Sequence, residues 1–174
     1  MVFCGKDISD LPVFERISNG IGYTFQITSI FVNLTVYENV ALAIRKDNSN
    51  GEEDSVSEVL SKVGLLDRIE QRSGDLSYGH QRLLELAMGM AQKPKLLILD
   101  EPTQGLSDSE IENFKKLIKD ISSSTTILLI EHNMDVVMSI ADNISVLHFG
   151  EIIADGDKET IQNDAIVQKA YLGD

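Results

Sequence analysis

The residues best suited to chemistry are two adjacent carboxylates, Asp100 and Glu101, which follow the apolar run at residues 96–99. An aliphatic run of this length predicts a buried strand. Because ligands bind at the carboxyl ends of strands in open α/β folds, we expect both carboxylates at a ligand-binding edge. Asp100 suits a contact to Mg²⁺ on nucleotide phosphates, and Glu101 suits orienting or deprotonating the attacking water. The alternative is a strand that ends in two solvated acids.

A second candidate is the segment at residues 76–81, which reads LSYGHQ and precedes a helical pattern of apolar residues. Ser77 suits the N-cap of this helix, and Gly79 lets the backbone approach an anion closely. The positive end of the helix dipole then points at that anion. Taken alone, such a segment is more typical of an ordinary capped helix. Its position upstream of the carboxylate strand favours the binding interpretation.

The elements that must position these residues alternate between strands and helices. Apolar, β-branched runs predict strands at residues 96–99, 125–130 and 144–149. Apolar stripes predict helices at residues 111–121 and 134–141, and a capping box of Ser107 and Glu110 begins the first of them. Strand–helix alternation with short connections predicts a parallel sheet with right-handed crossovers.

The upstream part of the chain predicts a more helical region, in which we expect an α-helical subdomain at about residues 33–93 that carries the LSYGHQ segment. The tail is expected to form one or two short surface helices. The patterns predict a strand at 21–25, helices at 36–44 and 56–63, a solvated acidic loop at 47–54, and the tail helices at 158–172.

Composition narrows the classes of function. The 174 residues carry 28 acidic and 15 basic side chains, with a formal net charge of -13, which argues against nucleic acid as a partner. No apolar run approaches the roughly 20 residues that cross a bilayer. Cys4 is the single cysteine, so an intrachain disulfide is excluded and a reducing, cytoplasmic setting is expected.

Together, residues 76–81 and 96–101 resemble the signature motif and the Walker B strand of ATP-binding-cassette (ABC) ATPases. The resemblance extends over nearly the whole chain. It implies a P-loop NTPase-like α/β fold, with a parallel sheet, flanking helices and an inserted α-helical subdomain, of which residues 1–174 form a part. It also implies ATP and Mg²⁺ as cofactors, with Glu101 as the general base and Asp100 as a metal contact.

The resemblance assigns roles to further residues. Gln26, after residues 20–25, resembles the Q-loop glutamine, which in this family touches Mg²⁺ and the attacking water. Asp108 lies in a segment that resembles the D-loop and would cross between subunits, and His132 resembles the switch histidine that contacts the γ-phosphate. The residues implied in nucleotide binding are Ser77, Tyr78, Gly79, His80, Gln81 and Asp108.

Two residues depart from the commonest signature pattern, since Tyr78 replaces a second glycine and His80 replaces Gln or Glu. Tyrosine at the first position resembles the importers of branched-chain amino acids, and the urea importers share much of this pattern. The resemblance therefore implies an ATP-hydrolysing subunit at the cytoplasmic face of the membrane. Its partners would be permease subunits, a second ATPase subunit and, indirectly, a solute-binding protein. A DNA-repair ATPase is disfavoured by the acidic balance and the lack of coiled-coil heptads.

One expected element does not occur in the sequence. A phosphate-binding loop reads G-x-x-x-x-G-K-[ST], and the one Gly-Lys pair, Gly5-Lys6, is followed by Asp7. We therefore expect an N-terminally truncated relative with doubtful activity of its own. The alternative function is a non-catalytic remnant that binds only a partner ATPase or permease.

The resemblance also implies a groove for the membrane subunit just after Gln26. Phe31, Leu34 and Val36 would supply apolar contacts in this groove. The alternative is that these side chains pack inside the helical region.

Overall fold

The structure is a computed structural model that describes residues 1–24, 29–44 and 52–171. The chain divides into two compact units, Met1–Ile130 and Glu131–Asp174, and each is described by itself. Within the described ranges, no helix is both long enough and apolar enough to cross a membrane.

The first unit contains five strands, five α-helices and two short 3-10 helices, Leu66–Arg68 and Ser73–Asp75, in its described part. The antiparallel pair β1–β2 stands near the start, and β3, β4 and β5 form a parallel sheet in that order. The predicted parallel pairing of the runs at 96–99 and 125–130 is thus confirmed. The elements are β1 (Val2–Phe3), β2 (Lys6–Asp7), α1 (Val13–Ser18), β3 (Ile21–Tyr23), α2 (Val36–Ala43), α3 (Glu52–Lys62), α4 (Tyr78–Ala91), β4 (Leu96–Asp100), α5 (Asp108–Ser122) and β5 (Thr126–Ile130).

The central strand β4 is fixed by burial of one of its faces. Leu97 and Leu99 are fully buried on this face, whereas the alternate residues of the strand are half-buried. Helix α5 buries the stripe formed by Phe114, Ile118 and Ile121, as its apolar period predicts. The predicted partnership of Ser107 and Glu110 at the start of α5 is also present.

Helices α2, α3 and α4 share a second apolar core. Val36, Val40, Leu60 and Leu84 are each fully buried there, and each such side chain contributes about 1.5–3 kcal/mol by leaving water. Val36 therefore packs inside the helical region, so the proposed groove contact is wrong for this residue. The assignment of about residues 33–93 as a subdomain stays a prediction.

Helix α3 begins earlier than expected. Its first residue is Glu52, so the last part of the predicted acidic loop at 47–54 is helical, while residues 45–51 lie outside the described ranges. Acidic side chains are favourable in the first turn of a helix because they oppose the positive end of its dipole. The run that includes Glu53 and Asp54 thus starts a helix instead of extending a loop.

The second unit contains α6 (Met134–Ile140), β6 (Ile144–His148), β7 (Glu151–Gly156), α7 (Lys158–Asn163) and α8 (Ala165–Tyr171). Its core joins Ile144, Val146, Ile161 and Val167. The strand predicted at 144–149 is present, and so are the two short tail helices. Its expected place in the parallel sheet is wrong, since β6 pairs antiparallel with β7. Left-handed backbone at residues 149 and 150 (φ of 48° and 84°) turns the chain directly back.

Candidate functional site

Asp100 and Glu101 lie where the carboxyl end of β4 meets the following loop, and both are half-buried. The amide of Glu101 donates to the carbonyl of Ile130 at 2.9 Å, which extends the pairing with β5 by one residue. Glu101 also has a left-handed backbone with φ of 45°. A non-glycine residue in this region costs on the order of 1–3 kcal/mol, and such strain concentrates at functional positions.

Tyr23 is a neighbour of Asp100 that the sequence analysis missed. Its hydroxyl donates to Oδ2 of Asp100 at 3.0 Å. This hydrogen bond, followed by burial, raises the pKa of the Tyr23 phenol above its ordinary value because the carboxylate favours the protonated hydroxyl. The pairing of Tyr23 with Asp100 follows from the register of β3 with β4, and no local sequence pattern predicts this register.

The LSYGHQ segment forms the predicted N-cap. The Ser77 hydroxyl accepts from the His80 amide at 3.3 Å, and it also lies 2.9 Å from Nδ1 of the His80 ring. The Gln81 side-chain amide donates to the carbonyls of Ser73 and Leu76, each at 3.3 Å. Gln81 therefore holds the preceding loop against the first turn of α4.

A carboxylate from α5 reaches the start of α4. A Cβ added to Gly79 would lie 2.0 Å from Oε1 of Glu110, so the missing side chain leaves room for this group. Oε2 of Glu110 accepts from the amide and the hydroxyl of Ser107, at 2.8 and 2.7 Å. These bonds, aided by the nearby His80, lower the pKa of Glu110. The start of α4 is thus next to the start of α5.

Tyr78 links the LSYGHQ segment to the loop after Glu101. A Cβ on Gly105, which has φ of 78°, would lie 2.8 Å from the Tyr78 ring. The Arg82 guanidinium lies 5.5 Å from the centre of the ring, and its Nε donates to the Tyr78 hydroxyl at 3.2 Å. Arg82 in turn pairs with Glu85 at 3.0 Å, with both side chains buried.

A cavity of about 120 Å³ lies between α4, α5 and the end of β4. Since drug-sized ligands occupy about 300–1,000 Å³, the cavity suits a few water molecules rather than a nucleotide. A nucleotide would therefore bind outside this cavity. The lining residues are Thr24, Gly79, His80, Arg82, Leu83, Glu85, Leu86, Leu99, Pro102, Leu106, Glu110, Asn113 and Phe114.

Asp100 fits a contact to Mg²⁺ by the chemistry of its free oxygen. Oδ2 is taken by Tyr23, and within the described ranges no hydrogen bond reaches Oδ1. In those ranges no three His, Cys, Asp or Glu side chains converge on one point. Because Mg²⁺ keeps several waters and binds through one or two carboxylates plus phosphate oxygens, a single carboxylate oxygen is an adequate protein contribution.

The remaining predicted residues are placed as follows. Gln26 lies outside the described residues. Asp108 is the exposed first residue of α5. His132 belongs to the second unit, where its amide lies 3.2 Å from Oε2 of Glu131 and the following Asn133 caps α6. The roles assigned to the three residues stay predictions.

Comparison with known proteins identifies the family. Residues 1–104 match the family model described as ABC transporter. The branched-chain amino acid transport ATP-binding protein BraF of Pseudomonas aeruginosa is 36% identical, over 98% of this chain and 74% of BraF. The lipopolysaccharide export ATP-binding protein LptB of Haemophilus influenzae is 35% identical, over 100% of this chain and 74% of LptB.

A solved structure gives the same result for the fold. The ADP conformation of MJ1267, an ATP-binding cassette of an ABC transporter, superposes with a TM-score of 0.83 and 28% identity, over 99% of this chain and 76% of MJ1267. The expected P-loop NTPase-type α/β fold is thereby confirmed. With a matching family model and relatives that align along its length, the chain belongs to the ABC transporter family and is related to the ATP-binding subunits of these transporters.

Proposed function

We propose that this chain acts as the ATP-hydrolysing subunit of a membrane importer for branched-chain amino acids. It would work at the cytoplasmic face of the membrane with permease subunits, a second ATPase subunit and, indirectly, a solute-binding protein. The likeness to BraF and the tyrosine at position 78 support this substrate class. The near-equal likeness to LptB makes a lipopolysaccharide exporter the main competitor, and a urea importer stays an alternative.

The observation that carries the proposal is the position of Asp100 and Glu101 at the carboxyl end of the central parallel strand. Asp100 would hold the nucleotide's Mg²⁺ through Oδ1, which no hydrogen bond reaches in the described part of the chain. Glu101, which the left-handed backbone turns away from the strand direction, orients the attacking water and takes its proton. When bound, Mg²⁺ neutralises charge that develops on the phosphate oxygens.

The nucleotide site is completed by a second subunit. Residues 77–81 and Asp108 resemble motifs that reach across a subunit boundary, so they act on a nucleotide whose phosphates are held by the partner's phosphate-binding loop. Gln26 and His132 act toward the metal, the water and the γ-phosphate on their own side.

A hybrid protein tests this function. The segment of BraF that contains its phosphate-binding loop is joined ahead of Met1, and the hybrid is expressed in Pseudomonas aeruginosa that lacks BraF. Uptake of radiolabelled leucine should be restored. The same hybrid with Glu101→Gln is the matched control, and it should bind nucleotide normally but hydrolyse it at least about 100-fold more slowly. Near-normal turnover by the control would show that Glu101 is not the base.

The competing functions give different outcomes in the same design. A hybrid that restores lipopolysaccharide export in Haemophilus influenzae depleted of LptB, but not leucine uptake, would overturn the amino-acid assignment. Uptake of labelled urea without leucine would favour the urea importer. If the hybrid binds permease but never hydrolyses ATP, the chain is a non-catalytic partner.

The unmodified 174-residue chain should bind Mg-ATP weakly. The backbone N–H groups and the lysine of a phosphate-binding loop supply most contacts to the phosphates, and this chain offers neither. Titration calorimetry should therefore give no saturation at micromolar concentrations. A micromolar dissociation constant, about 8 kcal/mol of binding free energy, would reveal a different phosphate cradle.

A further inference from the structure

Tyr23 and Asp100 come together through the register of two parallel strands. Tyr23 of β3 pairs with Ile98 of β4, and Asp100 lies two residues further along β4. Residues two apart in a strand project from the same face, and a diagonal neighbour is within reach of an aromatic side chain. The Tyr23 hydroxyl spans this diagonal and donates to Oδ2 at 3.0 Å.

The hydrogen bond from Tyr23 makes the two carboxylate oxygens of Asp100 different in their bonding. Oδ2 is committed to Tyr23, while Oδ1 has no hydrogen-bond partner within residues 1–24, 29–44 and 52–171. A carboxylate held at one oxygen keeps a single orientation, since rotation of its side chain would break the bond. Asp100 is therefore pre-set to offer one oxygen to a hard cation, which is the mode that Mg²⁺ uses in nucleotide sites.

Burial does not explain the position of the Tyr23 side chain. Tyr23 is 42% exposed, whereas its strand neighbour Gly22 is buried against β4 and the loop before it. An exposed aromatic ring contributes little core packing, so the contribution of Tyr23 lies in its hydroxyl. Tyr37, half-buried on α2, offers a matched control because no hydrogen bond of its hydroxyl is found in the described structure.

We propose that Tyr23 is a positioning residue for the nucleotide-bound metal, acting through Asp100. Its hydroxyl fixes the Asp100 side chain so that Oδ1 faces the cation and the carboxylate binds with one oxygen. This inference rests on the proposed function, in which Asp100 is the metal contact. It adds a tyrosine, from the strand beside β4, to the machinery that prepares the metal site before nucleotide arrives.

The test uses the 174-residue chain itself, with Mn²⁺ as a paramagnetic probe and ATP in excess to supply the phosphate oxygens. Mn²⁺ replaces Mg²⁺ at oxygen sites and broadens the NMR signals of nearby amides even at low occupancy. Broadening is measured at the Asp100 and Glu101 amides, with the amide of the exposed Asp120 on α5 as the reference for non-specific binding. The four proteins compared are the unmodified chain, Tyr23→Phe, Tyr37→Phe and Asp100→Asn.

Tyr23→Phe should reduce the broadening at Asp100, relative to Asp120, by about three- to tenfold, because the carboxylate must then be ordered by the metal itself. Tyr37→Phe should leave it unchanged. The remaining amide signals of Tyr23→Phe should match those of the unmodified chain, which separates loss of positioning from loss of fold.

The outcomes distinguish the positioning role of Tyr23 from the metal role of Asp100. If Tyr23→Phe broadens like the unmodified chain while Asp100→Asn loses the effect, the role of Tyr23 is overturned and the metal role of Asp100 stands. If Asp100→Asn keeps the broadening, or the unmodified chain shows none, the metal role of Asp100 fails. The inference about Tyr23 then fails with it.

Discussion

The buried ion pair of the signature helix offers the sharpest test of how this unit is held together. Nη1 of Arg82 lies 3.0 Å from Oε2 of Glu85, and their side chains are only 5% and 7% exposed. Arg82→Met removes one charge and leaves the Glu85 carboxylate buried without it. At an effective dielectric constant of about 20, the attraction between two unit charges 3.0 Å apart is about 5.5 kcal/mol before the cost of taking them out of water. Breaking such a pair typically costs about 3–5 kcal/mol of unfolding free energy.

The double variant should recover part of the unfolding free energy that Arg82→Met loses. Replacing both partners, as in Arg82→Met with Glu85→Leu, removes the cost of a buried carboxylate that has lost its cation and should regain at least about 2 kcal/mol over Arg82→Met alone. The exposed pair of Glu58 and Lys62, at 2.7 Å, is the matched control. Glu58→Gln should cost far less unfolding free energy than Arg82→Met, because solvent screens an exposed pair.

Urea unfolding followed by circular dichroism measures all of these free energies. The reasoning is refuted if Arg82→Met costs less than about 1 kcal/mol, the range of a surface pair. It is also refuted if the double variant is less stable than the single one. Tyr78→Phe, which removes the acceptor of the Arg82 Nε, should cost about 1–3 kcal/mol and so locate part of the loss in this hydrogen bond.

Two further predictions concern the residues around the site. Glu101→Gly should be more stable to urea than Glu101→Ala by about 1 kcal/mol, since only glycine adopts φ of 45° without strain; equal stability would argue against backbone strain. Because the pKa of Glu110 is lowered from its ordinary value of 4.5, its stabilising effect is present above that pH and is lost as pH falls through the lower folded-state pKa. Glu110→Gln should therefore be less stable than the unmodified chain near pH 7. In acid unfolding monitored by circular dichroism, the difference should vanish once the pH falls below the folded-state pKa of Glu110; a pH-independent difference would contradict this origin.

Sequence patterns predicted the local elements of the site because their causes are local. The aliphatic run before Asp100 gives β4, and the Ser107–Glu110 spacing gives the start of α5. Ser77 caps α4 for the same reason, since its hydroxyl bonds an amide three residues on. Each of these depends on neighbours within one turn or one strand.

Contacts between distant segments escaped prediction because they depend on register and packing. The hydrogen bond from Tyr23 to Asp100 joins residues 77 positions apart. The antiparallel pairing of β6 depends on the left-handed backbone of Phe149, and a phenylalanine does not indicate such a turn in a sequence. Phe31 and Val36 are equally apolar in sequence, yet Phe31 is 55% exposed and Val36 is fully buried. Phe31 and the half-buried Leu34 stay available for the proposed permease contact, whereas Val36 does not.

The two departures from the common signature pattern have structural partners nearby. The Tyr78 ring packs over Gly105, where even a methyl group would come within 2.8 Å of the ring, so the tyrosine requires the glycine in the loop after Glu101. The His80 ring shares the Ser77 hydroxyl and lies in the field of Glu110. Both side chains therefore tie the start of α4 to the segment that follows the carboxylates.

This arrangement has a consequence for catalysis in the proposed dimer. Since the LSYGHQ segment contacts the start of α5 at Gly79 and the loop after Glu101 at Gly105, a displacement of this segment must displace those neighbours or break the contacts. Closely packed groups transmit such shifts because protein interiors have little free volume to absorb them. A partner nucleotide that presses on the signature segment would thus act on the loop that carries Glu101. We expect substitutions at Tyr78 to change the turnover of a hybrid more than its affinity for nucleotide.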